Sequence, residues 1–326
     1  MKFESRYFYF LIPALLSFFS CSDKNQYRYE EGMVWNTLYH IKYQSAEPLG
    51  DSILAVLNEI DLSLSPFNEN SVISKINVNV SDSADPHFVK VYNESRRINR
   101  ATGGEFDPTL APLIRAWGFG QGHSVSADTL RIDSLLQLVG ITKTRLQGSK
   151  IIKDNPQIEF NFSALAKGYG VDCMAEMMER NGVENYLIEI GGEIRSAGVN
   201  QSGDKWSVGI NRPEVGAGLA EIVMNVYLND AAVATSGNYR NYQEEGSKRF
   251  GHTISSATGR PIETDVISAT VISPRCMEAD AIATSCMVLG SSKALTLCDS
   301  LKLGCLLILK DMSTKENDRF RNYLSE

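Results

Sequence analysis

Two hydrophobic periods interleave along this chain with no linker long enough to part them, and that interleaving restricts it to a mixed fold. Thr37 to Tyr43 alternates apolar and polar residues as a half-buried strand does. Asp51 to Leu62 then places Ile53, Leu54, Val56, Leu57 and Ile60 at helical spacing. Further helices are predicted from about His87 to Ala101, from Asp128 to Val139, from Ser163 to near Asn181, from Cys276 to about Leu289 and from Ser292 to Leu301. Strands are predicted over Tyr186 to Ile190, Trp206 to Ile210, Val223 to Leu228, Ala231 to Ala234 and Ser268 to Ile272. The expected class is α/β or α+β, an antiparallel sheet with covering helices. No G-x-G-x-x-G follows a strand, which argues against a Rossmann dinucleotide unit.

The 326 residues are 43% hydrophobic and 22% charged, enough apolar content for a substantial core. A net charge of −7 argues against a nucleic-acid partner, because such binding rests on a basic surface. An anionic nucleotide ligand would then need a metal ion beside it. Lys2 and Arg6 precede an apolar run from Tyr7 to Phe19 and then Ser20-Cys21-Ser22. This is the pattern of an export signal, too short to favour a membrane span. The small residue before the cysteine resembles a bacterial lipoprotein processing site, so residues 1–21 are expected to end at a lipidated Cys21. A polar tether over 22–30, a folded domain over 31–310 and a polar tail over 311–326 complete the expected organisation, with the chain held by lipid on the extracytoplasmic face of a bacterial cell membrane. The other cysteines, Cys173, Cys276, Cys286, Cys298 and Cys305, show no paired close spacing and read as buried thiols, not as a zinc site or disulfide framework.

Several segments carry chemistry. Asp280 and Thr284 stand four residues apart on a helix, so both oxygens face one way. Such a pair can share Mg²⁺, although most pairs of this kind are solvated helix surface. Asn161 to Gly170 runs into a helix start, with Ser163 as a candidate N-cap and Lys167 as a charge for a phosphate or carbonyl, or simply a solvent-facing lysine. Glu105-Phe106-Asp107 follows Gly103-Gly104, in a turn where backbone can approach a ligand; Asp107 can also cap the helix after Pro108. His252 precedes Thr253-Ile254 and can accept a proton near neutral pH, or serve a structural role. Trp35 and Phe67 read as core aromatics by composition alone.

The order and spacing of Gly104-Glu105-Phe106-Asp107-Pro108-Thr109, Trp117-Gly118-Phe119-Gly120, Asn161 to Gly170, Thr235-Ser236-Gly237-Asn238-Tyr239, His252-Thr253-Ile254 and Thr258-Gly259-Arg260-Pro261 resemble the ApbE family, the FAD:protein FMN transferases. The likeness runs from about Glu31 to Gly290. It implies a two-subdomain architecture related to the T-fold, with FAD in the cleft between the lobes. It also implies Mg²⁺-dependent transfer of FMN from FAD to a Thr or Ser hydroxyl of an exported acceptor protein, with release of AMP. The acceptors it suggests are flavoprotein subunits of redox-driven ion pumps and related reductases. By the same resemblance Asp280, Thr284 and the Ala164 carbonyl hold the metal. Trp35, Phe67, Glu105, Phe106, Asp107, Asn161, Lys167 and Ile254 line FAD, and His252 deprotonates the acceptor hydroxyl. Two rival activities share the pocket: FAD hydrolysis to FMN and AMP, and flavin binding without catalysis.

Overall fold

The computed structural model describes residues 26–119, 129–213, 221–237, 242–245, 248–251 and 253–325. Strand β1 (Tyr27–Val34) turns through Trp35 and Asn36 into β2 (Thr37–Gln44). Both turn residues have positive φ, 49° and 60°. A two-residue hairpin turn of this hand suits asparagine, but a bulky tryptophan enters that region only at a cost. Helices α1 (Gly50–Leu64), α2 (Val72–Asn77) and α3 (Pro86–Ala101) follow. The last starts by rule: Pro86 occupies the first turn and Asp85 accepts the Phe88 N–H at 2.8 Å.

Next come α4 (Ala111–Ala116), α5 (Thr129–Leu136), the hairpin β3 (Thr144–Gln147) and β4 (Lys150–Lys153), and α6 (Ala166–Arg180). The second half holds β5 (Tyr186–Ile190), β6 (Glu193–Ala197), β7 (Trp206–Asn211), β8 (Ile222–Leu228), β9 (Ala231–Gly237), β10 (Tyr242–Glu245), β11 (Lys248–Gly251) and β12 (Val266–Ser273). It closes with α7 (Cys276–Leu289), α8 (Ser291–Leu301), β13 (Gly304–Leu309), β14 (Thr314–Glu316) and α9 (Asp318–Arg321).

Eight strands form one sheet in the order β1-β2-β5-β6-β9-β12-β13-β14, every neighbour antiparallel. Helix α7 packs on β9 and β12, and α6 lies against α7, α1 and the β5–β6 pair. The strands beneath sort their side chains by the pleat: Ala232, Ala234, Val271 and Cys305 enter the main core under the helices, while Ala231, Val233, Ile272 and Leu306 face the opposite side. That side is closed by Val208, Ile210, Val226 and Leu228 of the β7–β8 hairpin. A third, smaller cluster joins Leu113, Trp117, Ile132 and Ile254, so α4, α5 and the segment around Ile254 share a small core of their own.

The mixed class and the antiparallel sheet are as expected, and three departures have simple causes. The stretch expected as a tether to residue 30 is already strand from Tyr27, because Tyr27 to Val34 pairs along its whole length with β2. Residues 311–325 are no loose tail: β14 pairs with β13, and Phe320 is fully buried in the second core. Phe320 and the buried Asn317, which accepts the Cys305 N–H and donates to Asp299 and the Leu303 carbonyl, pin a segment that is otherwise polar. Ser163 does not cap α6, which begins at Ala166 with Leu165 in the N-cap position and no side-chain cap. Among the described residues no helix is long and apolar enough to cross a membrane. The export signal with Cys21, and His252, lie outside the described residues.

Candidate functional site

The site is organised by the crossing of α6 and α7. Arg275, at the N-cap of α7, offers no side-chain cap. Asp172 of α6 supplies one: its Oδ1 accepts the Cys276 N–H at 2.9 Å and its Oδ2 the Met277 N–H at 3.0 Å. Arg195 of β6 donates to the same carboxylate at 3.0 Å. Burial pushes the Asp172 pKa up, against the downward pull of the two amides and Arg195. The helices then meet at Gly168, where a Cβ would lie 2.4 Å from the Cys276 carbonyl oxygen and 2.9 Å from the Asp280 Cβ. Only glycine allows this approach.

Close contact brings Asp280 onto the first turn of α6. Gly168 donates its N–H to Asp280 Oδ2 at 3.0 Å. The Lys167 ammonium lies 3.7 Å from that oxygen and 2.9 Å from Glu193 Oε1 at the start of β6. Asp280 and Glu193 are each 3% exposed. Two buried carboxyl groups thus face one ammonium, and Glu193 Oε2 has no hydrogen-bond partner. Burial raises the Asp280 pKa against the attraction of Lys167. It pushes Glu193 up to about 8, with Lys167 opposing and Asp280 adding to the rise. For Lys167 burial works against the charged form, but Asp280 and Glu193 outweigh it and hold the ammonium above the usual lysine range.

The Glu193 shift carries a pH dependence. An acid whose folded pKa exceeds its unfolded value keeps a proton that the unfolded chain has already lost, so its contribution to stability falls as pH rises between the two. In metal-free protein, unfolding free energy is expected to decline from pH ~5 to ~8 through this group. Glu193→Gln should flatten that slope in urea titrations, and an unchanged slope would remove Glu193 as its source.

Thr284 sits one turn beyond Asp280 on α7, half-buried, with its hydroxyl 3.1 Å from Ser236 Oγ on β9. Ala164 lies in the turn before α6, and its carbonyl takes no part in the backbone hydrogen bonds of that turn; the Gly168 N–H, which a longer helix would aim at it, goes to Asp280. A carboxylate, a hydroxyl and a carbonyl are the donors a hard divalent cation takes. The two buried carboxyl groups and the orphan Glu193 oxygen fit such an ion, whose charge would favour their ionised forms.

The remaining expected residues fall into two groups. Trp35 lies over α6: a Cβ on Gly170 would come within 2.6 Å of its Cη2, and its buried indole N–H has no partner. Phe67 is 61% exposed in the loop after α1. Asn161 accepts the Ser163 N–H at 2.8 Å through Oδ1, while its own N–H donates to the Pro108 carbonyl at 2.7 Å. Ser256 Oγ donates to the Gly104 carbonyl at 2.7 Å, tying the loop that carries Glu105 to the turn following Ile254. Phe106 and Ile254 are buried and back these loops.

For Asp107 the structure bears on the capping alternative alone. The residue does not cap α4, whose N-cap is Leu110. Its carboxylate accepts from the Thr109 N–H and hydroxyl, from the Ile141 N–H at 2.9 Å and from Asn99 Nδ2 at 3.3 Å. Those four donors use the capacity of a carboxylate, so Asp107 braces its own loop. Sequence reading missed Glu193, Asp172 and Arg195, and gave Ser236 only as part of a motif, without its contact to Thr284. The signal for Glu193 was Gly191-Gly192, a turn with φ of 63° and 99° that delivers an acid at a strand start. Two surface concavities, about 440 Å³ beside Ile76 and Lys153 and about 500 Å³ beside Arg115 and Glu159, contain none of the site residues.

Sheet, crossing and oxygen donors define an α/β protein with a buried cluster of carboxyl, hydroxyl and carbonyl groups between α6, α7 and β6. The chain belongs to the ApbE family, whose model matches residues 35–307. It is 33% identical to the FAD:protein FMN transferase of Vibrio cholerae over 96% of this chain and 95% of that one. With the Haemophilus influenzae protein of the same name the identity is 34%, over 95% of each. Its structure is similar to the flavin transferase ApbE from Vibrio cholerae, with a TM-score of 0.82 and 32% identity, covering 92% of this chain and 99% of the other. The flavinyl transferase ApbE of Pseudomonas stutzeri gives a TM-score of 0.82 at 26% identity, covering 93% and 98%.

Proposed function

We propose that this chain is an enzyme that transfers the FMN moiety of FAD to a Thr or Ser hydroxyl of an acceptor protein, with Mg²⁺ as cofactor and AMP as the leaving product. The observation that carries the reading is the pair of buried carboxyl groups, Asp280 and Glu193, around a single Lys167, with an unpartnered Glu193 oxygen, next to the Thr284 hydroxyl and Ala164 carbonyl. Asp280, Thr284 and the Ala164 carbonyl would hold the ion. When bound, it supplies neutralisation of charge on the pyrophosphate.

The chain's own residues position and deprotonate. The acceptor oxygen forms a new P–O bond to the FMN phosphorus, the P–O bond to AMP breaks, and the hydroxyl proton passes to His252. Lys167 keeps Asp280 and Glu193 in place by contacts to both. Trp35, with its ring on α6, and Phe67, with most of its face open, offer aromatic surfaces to a flat heterocycle. Glu105, Phe106, Asn161 and Ile254 form or back the loops around it.

Incubation of the full chain with FAD, Mg²⁺ and an exported flavoprotein acceptor should yield one FMN adduct per AMP released, read by intact mass and by flavin fluorescence of the denatured acceptor. AMP and free FMN without an adduct would replace transfer by hydrolysis. FAD binding without AMP would make the chain a flavin carrier.

His252→Ala is expected to keep FAD affinity and lose roughly 10²- to 10⁴-fold in transfer rate, the contribution of a positioned general base. Parallel loss of affinity and rate would make it a ligand contact instead. The location follows from Ser20-Cys21 closing the signal-like run. Acyl chains contribute about 0.8 kcal/mol per buried CH₂, so a multiply acylated Cys21 anchors the domain. Cys21→Ser should move the protein out of the membrane fraction with its transferase activity intact, and an unmodified Cys21 within an uncleaved N-terminus would defeat the lipoprotein reading.

A further inference from the structure

Three thiols from three elements converge beyond the cation site: Cys286 of α7, Cys298 of α8 and Cys305 of β13. All three are fully buried, and their Sγ atoms lie within 4.8 Å of one another, with Cys286 and Cys298 only 3.7 Å apart. Core packing alone does not require sulfur at three facing positions. Among the described residues no His, Asp or Glu donor joins the group.

Charge decides which thiophilic ligand this triangle suits. Zinc asks for a fourth donor, and the group has three. Monovalent copper on three thiolates would carry a net charge of −2 into an apolar core, beside the acid Asp299, and burying uncompensated charge is expensive. A trivalent centre bound by three thiolates is neutral. We propose that Cys286, Cys298 and Cys305 form a binding site for a trivalent arsenic oxyacid, taken up as a neutral tris-thiolate complex. Three S–H bonds and three As–OH bonds break, three As–S bonds form, and three waters leave. The oxidation state is unchanged and no oxidant is needed. The bound centre ties α7, α8 and β13 together.

The reduced full chain equilibrated with sodium arsenite should gain one arsenic and lose three hydrogens by native mass spectrometry, and its Tm should rise. Cys298→Ser should weaken uptake by roughly 10²-fold, since the remaining pair loses one tethered donor. Cys173→Ser, whose sulfur is buried in α6 outside the triangle, should leave uptake unchanged. X-ray absorption on the wild-type complex keeps the test independent of how well the variants fold: three As–S bonds support the site. Two or fewer, no stoichiometric uptake, unaltered uptake by Cys298→Ser, or a Cys286–Cys298 disulfide in the protein as isolated would overturn it.

Discussion

Asp280→Asn should leave a folded protein that has lost at least about 10³-fold in FMN transfer, equivalent to about 4 kcal/mol of transition-state stabilisation. The fold survives because the amide matches the carboxylate in volume and its oxygen can still accept the Gly168 N–H, the bond that Asp280 Oδ2 accepts at 3.0 Å. Lys167 keeps a partner in Glu193 at 2.9 Å. Removing an anion that burial already disfavours also relieves a cost, so the variant should melt no lower than the parent. What goes is the charged ligand, and raising Mg²⁺ should restore little. Thr284→Ala should act in the same direction but more weakly, a neutral hydroxyl being the poorer ligand. The measurements are initial rates across a Mg²⁺ series together with thermal unfolding. Full Mg²⁺-dependent turnover in Asp280→Asn would sink the metal assignment, and greater damage from Thr284→Ala would recast that residue as structural.

Gly168→Ala tests the crossing itself. Its methyl would stand 2.4 Å from a carbonyl oxygen and 2.7 Å from the carbonyl carbon of Cys276, both backbone atoms that cannot swing aside. One helix must move. Overpacking of this kind costs up to about 3 kcal/mol, and for a chain of this size each kcal/mol shifts Tm by about 2 °C. Since the Asp172 caps and the Gly168–Asp280 bond share the displaced contact, transfer should fall together with stability. A Tm within about 1 °C of the parent, with normal turnover, would show that α6 and α7 have room to part.

Much of this was legible in the chain. The helix over Cys276 to Leu289 could be placed because Gly290, at φ 75°, ends it where the apolar pattern stops. Asp280 and Thr284 share a face of that helix, and spacing alone sufficed to pair them. Strand β13 was missed because Gly304 to Leu309 is buried on both faces and so has no alternation to read. Glu193 and Asp172 were missed for a different reason: an acid reads as surface until a distant partner is known. Arg195 and the α7 amides supply partners for Asp172, and Lys167 supplies one for Glu193. The capping alternative for Asp107 failed because Pro108 beside it mimics a helix start while Ile141 and Asn99 claim its oxygens.

The Asp172 cap also sets a timetable. Its two bonds to α7 span 104 and 105 residues, and the Gly168 to Asp280 bond spans 112. When α6 leaves the ribosome, the carboxylate that will cap α7 has nothing to cap, and the glycine notch faces no helix. Contacts so far apart in sequence form late and slowly. These oxygen donors therefore come together only after nearly the whole domain has been synthesised. A nascent chain truncated before Cys276 has β1 to β12 but lacks Asp280 and Thr284, so assembly of this donor cluster is the closing event of folding.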